Sequence, residues 1–351
     1  MVWRIGILTV FFSIVLAASS SRCVAQPVKT QGVDAACGSS QLAAVADSVA
    51  ASFDKHQFVF ISSTHGSKKP HDFLLCLLSR PAFQQRVTDI LVEWTNPVHQ
   101  SVIDRYLLNL EQVPEDSLRK AWFDTERPQL WARLPQIPEF YARVRAINSK
   151  LESGKRVRVL GGCEPVNWAG VRTSEDLAVY PFKTNWAAHV ITEHFAVRAD
   201  QRLLVVYGDG HIHHNGGTMM SNLEAKLDRS QLFVIGTIRD LGTGDAERIA
   251  RFGDSTRPFF IAASGFPATQ SLPRDLFYAG AGPLSSYIDA LVYLGPGADR
   301  DLSNSIEFTE AQRAEIARRE TILSDPRLLQ LRLGKRDVWF RTHPNDIPKR
   351  P

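Results

Sequence analysis

Seven short apolar runs punctuate the chain, at 57–62, 89–93, 156–160, 202–207, 231–235, 258–261 and 289–294. They are rich in Val, Ile, Leu and Phe with little alternation, the pattern of strands buried on both faces. Between them, apolar positions recur at helical spacing over 42–53, 72–78, 98–110, 118–131 (broken by Pro128), 138–151, 185–197 and 309–323. A shorter turn or helix is expected at 81–87. Strands separated by long helical segments predict an α/β fold: a mainly parallel sheet with helices on both faces. The expected organisation is a single α/β domain over 41–340, with a helical insertion at about 96–151 between the second and third strands. A flexible segment at 26–40 precedes it and a Pro-rich tail at 341–351 follows. No internal repeat or low-complexity block interrupts the pattern.

The first 25 residues stand outside it. Arg4 precedes an apolar run from Ile5 to Ala18 that is too short to span a bilayer comfortably, and Cys23 and Ala25 place small residues at −3 and −1 of a cleavage site before Gln26. This predicts a signal peptide over 1–25, a secreted or periplasmic mature protein, and no membrane span after cleavage. The formal net charge is +4, of which Arg4 and Arg22 supply two, and no dense Lys/Arg run exists. A nucleic-acid partner is therefore not expected; a small-molecule ligand or substrate is. Three cysteines remain after cleavage. One internal bridge is possible, Cys37 with Cys163, since Cys76 sits in the apolar run 73–78; three free thiols are the alternative. No CxxC supports a zinc site.

In parallel α/β sheets, ligands bind beyond the carboxyl ends of the strands. The residues there are Ser63, Thr64 and His65 after the first strand, Glu93 at the end of the second, Glu164 after the third, and Asp209, His211, His213 and His214 after the fourth. Two histidines and two carboxylates from four strand ends can converge on one crevice. A neutral imidazole can take a proton from water, with a carboxylate fixing its tautomer. The same donors could hold a divalent metal. Competing structural roles are a salt bridge from Glu93 to Arg105 or Arg145, a turn cap by Asp209, and solvent-facing positions for His213 and His214. GxSxG, P-loop and GxGxxG motifs are absent from the sequence, which disfavours an ordinary serine esterase, an NTPase and a Rossmann dehydrogenase.

These elements carry a resemblance. Ser62-Ser-Thr-His65-Gly looks like a degenerate Gly-Glu-x-His-Gly element of erythromycin-esterase-like proteins, and Val92-Glu93 is similar to their second acidic strand end. Gly208-Asp-Gly-His211 resembles the Gly-x-x-His element shared with the wider ChaN-like haem-binding and TIKI-like superfamily. Glu93-x-x-Asn96-x-x-x-Gln100-x-x-x-Asp104-Arg-Tyr106 and Val159-Leu-Gly-Gly-Cys-Glu-Pro-Val-Asn-Trp168 look like a bacterial subgroup of it. The likeness runs from Phe58 to Leu294. It implies an α/β fold with His65 as general base, Glu93 beside it and His211 opposite. In the TIKI-like branch the implied role of His65, Glu93 and His211 is metal binding; in the ChaN-like branch the implied ligand is haem, with Tyr207 or a histidine as candidates. The chain departs from the pattern where Ser62 and Ser63 replace the first Gly and its Glu, and where Cys163-Glu164 stands in place of an Asp.

Three readings follow. The first is a secreted hydrolase of ester, lactone or amide-like bonds, needing no cofactor. Its expected catalytic residues are His65, Glu93, Glu164 and His211, and its expected substrate contacts are Asn96, Asp209 and Arg145, the last if the inserted helix caps the crevice. The second is a haem-type binding protein or pseudoenzyme. The third is a metal-dependent hydrolase.

Overall fold

The computed structural model describes residues 37–196, 198, 200–238, 246–266, 282–297, 299, 306–335, 338–343 and 350. The expected signal peptide, nearly all of the 26–40 segment and most of the tail lie outside the described residues.

All seven expected strands are present: β1 (Phe58–Ser62), β2 (Asp89–Val92), β3 (Arg158–Gly161), β4 (Leu203–Tyr207), β5 (Leu232–Ile238), β6 (Phe259–Ala262) and β7 (Ala290–Tyr293). They form one sheet in the order β3-β2-β4-β1-β5-β7-β6, parallel throughout except for the edge strand β6. Alternate side chains go to opposite layers. Val59, Ile61, Ile90, Val92, Leu204 and Val206 join the core under the helices Ser40–Ala51, Lys68–Ser79, Gln100–Leu107 and Gln136–Asn148. Phe58, Phe60, Leu91, Leu203, Val205 and Tyr207 join the core under the helix Lys183–Val190 and the turn Met220–Glu224. Two covered faces explain the unbroken apolar runs.

The chain leaves β1 for β2 and then β3 over the first face, and returns through β4 to β5 over the second. Neighbouring β1 and β4 thus send their connections to opposite faces, and such a switch opens a crevice at their carboxyl ends. The register aligns those ends, with Ser62 opposite Tyr207 and Val92 opposite both Val206 and Gly161.

The residues between β2 and β3 do fold into helices, Gln100–Leu107, Glu115–Phe123 and Gln136–Asn148. Their attachment explains part of the Asn96-to-Asp104 motif. Arg158 of β3 donates to both carboxylate oxygens of Asp104 (3.0 and 2.6 Å), and Gln100 donates to Asp104 and to the Val159 carbonyl while accepting from Gly161 N–H. Gly161 is required at this contact, because a Cβ there would lie 2.6 Å from the Pro97 nitrogen.

The cysteine pairing differs from expectation. Cys37 is bridged to Cys76, with Cα atoms 4.5 Å apart, and Cys163 is a buried free thiol. The helices Ser40–Ala51 and Lys68–Ser79 share one core, which brings Cys37, just ahead of the first, to Cys76 on the second. The apolar setting of Cys76 was no argument against a bridge, since buried half-cystines are themselves apolar.

Candidate functional site

A cleft of about 1000 Å³ opens over the carboxyl ends of the strands, and His65, Glu93, Glu164 and His211 all line it. Glu93, the residue after β2, is its buried centre, only 1% exposed. Its Oε2 accepts the Gly208 N–H at 2.7 Å, and its Oε1 accepts from the Lys183 ammonium. The same Oε1 lies 3.8 Å from His65 Nε2 and 3.9 Å from His211 Nε2. Burial pushes the Glu93 carboxyl up, but His65, Lys183 and His211 outweigh it and hold the group well below its ordinary value. Glu93 is therefore an anion at neutral pH. Burial opposes the charge on Lys183 too, yet Glu93 and Glu164 push its ammonium up to about 12.

The two imidazoles have different settings. His65 is more than a third exposed, and its ring packs edge-on against Trp131 at 4.3 Å between centroids. His211 sits on the single turn Asp209–Ile212 with Nδ1 2.8 Å from Thr218 Oγ1. Burial lowers the His211 pKa and Glu93 only partly offsets it, so this ring is neutral at pH 7.

Glu164 follows β3 through Gly161-Gly162. Its Oε1 accepts the Lys183 backbone N–H at 3.2 Å and its Oε2 accepts the Cys163 thiol at 2.8 Å. Burial and Glu164 push that thiol well up, which keeps it a protonated donor. Beyond Glu164 lies Glu126, paired with Arg332. Burial first, then the Glu164 carboxylate, push Glu126 up to about 7 against the pull of Arg332.

Several expectations need correcting. Asn96 does not face the cleft: it is buried, donates to the Asp124 and Val166 carbonyls, and caps the turn Pro97–His99 through Val98 N–H. Arg145 is also elsewhere, binding the carbonyls of Tyr106, Leu110 and Glu111. The insertion reaches the cleft through Thr125 to Trp131 instead, where Arg127 is the lining cation. Asp209 is not among the lining residues, and its Oδ1 accepts the Gly210 N–H. Glu93 pairs with Lys183; Arg105 pairs with Glu111. His213 and His214 are buried rather than solvent-facing, His214 lying between Glu224 (2.6 Å) and Asp289 (2.9 Å).

Ser63, where the resembled motif has its acid, is buried and lines a separate small cavity with Ser62, His71 and Thr237. Ser62 Oγ accepts Thr237 N–H at 2.7 Å, tying β1 to β5. The acids of the cleft come from the segments after β2 and β3, from the insertion, and from Asp325 ahead of the helix Leu328–Gly334.

Lys183, Glu126, Trp131 and Arg332 were not foreseen. Lys183 carried one readable signal: a cation in the first turn of a helix opposes the helix dipole and calls for a nearby anion. Glu126 and Arg332 are 206 positions apart, and Arg332 lies on the unanticipated helix Leu328–Gly334.

A divalent metal does not suit these donors. The Lys183 ammonium already contacts the carboxylate oxygen that faces both histidines, and no group of three or more His, Cys, Asp or Glu among the described residues is arranged to hold an ion. Tyr207 does not suit a haem, because it is fully buried with its hydroxyl donated to the Gly162 carbonyl at 2.6 Å.

No family model matches the chain, and no curated protein matches it. Three solved structures are similar at low identity. The BcR135 protein from Bacillus cereus has 9% identity over 72% of this chain and 91% of its own, with a TM-score of 0.43. The type III effector HopBA1 has 15% identity over 72% and 92%, with a TM-score of 0.36. ChaN of Campylobacter jejuni, described with cofacial haem binding, has 9% identity over 70% and 90%, with a TM-score of 0.38. A ChaN protein is thus among the structures similar to this chain.

Proposed function

We propose that the protein is a metal-independent hydrolase of small-molecule ester, lactone or amide-like bonds, in which His65 activates water. The observation that carries this reading is the ionised, buried Glu93 facing two cleft-lining imidazoles at 3.8 and 3.9 Å. With Nε2–H of His65 turned to Glu93, Nδ1 is the free base. It takes a proton from water as the oxygen attacks the substrate carbonyl, and returns it to the leaving group when the carbon–oxygen or carbon–nitrogen bond breaks. Glu93 stabilises the transient imidazolium. His211, neutral and on the same side of the cleft as the Glu93 carboxylate it faces, donates to the developing oxyanion when its Nε2 carries the proton. Lys183 keeps Glu93 charged.

A second reading is ligand binding without turnover, haem included. It is favoured by the exposed His65 imidazole in a cleft at the upper end of the ~300–1000 Å³ range of small-molecule sites. Secretion to an oxidising compartment is part of the proposal, supported by the Cys37–Cys76 bridge.

A panel of 4-nitrophenyl esters, lactones and anilides, run beside a haemin titration, tests both readings. Hydrolysis that is lost in His65→Ala supports the first. A Soret band at one equivalent of haemin without hydrolysis supports the second.

A further inference from the structure

We infer that the outer half of the cleft is a subsite for an aliphatic chain, so that the substrates are amphiphiles with an ester or amide head and a medium-length acyl tail. This rests on the hydrolase reading for the head group and on separate observations for the tail. Among the described residues only four large apolar side chains are exposed, and two of them, Leu329 (56%) and Leu333 (50%), line this cleft. They lie four positions apart on the helix Leu328–Gly334, hence on one face. Half-buried Leu130 and Leu323 continue the same lining.

A scattered exposed leucine needs no explanation, whereas apolar side chains gathered along a groove mark a ligand surface. What fits is set by what is already engaged. Phe182 is covered by the Arg332 guanidinium at 4.9 Å, and Trp131 carries the edge of His65. One face of Phe182 is thus covered and Trp131 is buried, so the exposed apolar side chains of the lining are aliphatic, which suits a chain rather than a stacking ring. Lys183 and Arg332 are each paired, with Glu93 and Glu126. The ester or amide head follows from the hydrolase reading, and Arg127 is a further cation on the lining. The polar cluster around Glu93 and the leucine wall line one continuous cleft, so one molecule can meet both.

Calorimetric titration of the intact protein with hexanamide, octanamide and decanamide tests this without requiring turnover. Affinity rises with chain length, by up to about fourfold for each fully buried methylene and about twofold on a half-open wall. In the Leu329→Ser/Leu333→Ser double variant that slope flattens. Both positions are exposed, so the melting temperature stays near that of the wild type and reports that the variant is folded. Binding that ignores chain length, or a slope unchanged in the double variant, overturns the inference. Parallel kinetics on 4-nitrophenyl acetate and decanoate separate it from the hydrolase reading. Chain-length-dependent binding without turnover keeps the subsite and rejects hydrolysis; turnover with a KM indifferent to chain length rejects the subsite and keeps hydrolysis.

Discussion

Replacing Lys183 with Met removes the cation from Glu93 while keeping much of the side-chain volume. Glu93 has 2% of its side chain exposed and Lys183 28%. Breaking a fully buried ion pair from one side costs ~3–5 kcal/mol. With part of the ammonium in water and the Gly208 N–H still bound to Oε2, we expect about 2–3 kcal/mol at neutral pH. For a domain of this size that lowers the melting temperature by roughly 3–5 °C. The loss also has a pH signature. The folded Glu93 carboxyl sits below its ordinary 4.5, so the unfolded chain binds the proton more readily. Its stabilisation is therefore complete above that ordinary value and is lost as pH falls through the folded value. In Lys183→Met the folded value moves up and the window narrows. Thermal melts from pH 7 down to the acid limit of solubility should show the gap between wild type and variant largest near neutrality and closing on acidification. Lys183→Arg, which keeps the charge, should show a smaller gap. A Lys183→Met variant as stable as wild type, or a gap that does not change with pH, would refute the assignment of Lys183 as the ion that holds Glu93 charged.

Other consequences can be checked separately. Cys37→Ser opens a loop spanning 39 positions and should cost about 3–4 kcal/mol by chemical denaturation, whereas Cys163→Ser should leave the denaturation midpoint nearly unchanged. Asp104→Asn strips the charge partner from fully buried Arg158 and should destabilise by about 3–5 kcal/mol; a loss under about 1 kcal/mol would show that the pair is not closed in solution. His211 should titrate below 6.5 in an imidazole NMR experiment, because burial disfavours its cation. Glu126, pushed up to about 7, keeps a proton that the unfolded chain loses near 4.5. Stability should then fall as pH rises between those values, and Glu126→Gln should flatten that slope in pH-dependent melts.

The strands were legible because both faces of the sheet are covered, which leaves the apolar runs of β1, β2 and β4 uninterrupted. The four strand-end residues could be gathered because a parallel sheet sends its carboxyl ends to one edge, where the register puts Ser62, Val92, Gly161 and Tyr207 within one residue of the same level. Partners supplied by the connections were not legible. Lys183 arrives on a helix start, and Glu126 meets Arg332 across most of the chain. Asn96 and Arg145 looked like ligand contacts because amide and guanidinium groups serve equally well to satisfy loop carbonyls, which is what both do here. His214 looked exposed because its burial depends on two carboxylates brought in by later segments, Glu224 ten positions on and Asp289 75 positions on.

The central claim is that His65, with Glu93 behind it, performs base chemistry in the cleft. The most direct measurement is the hydrolysis rate of one ester under identical conditions by wild type and His65→Ala, each shown folded by its melting temperature. His65 is a partly exposed loop residue, so its removal should leave stability within about 1 kcal/mol. The rate should fall by roughly 10²–10⁴-fold, the contribution of a positioned general base. Equal rates in two equally stable proteins would contradict the account and leave the cleft a binding site.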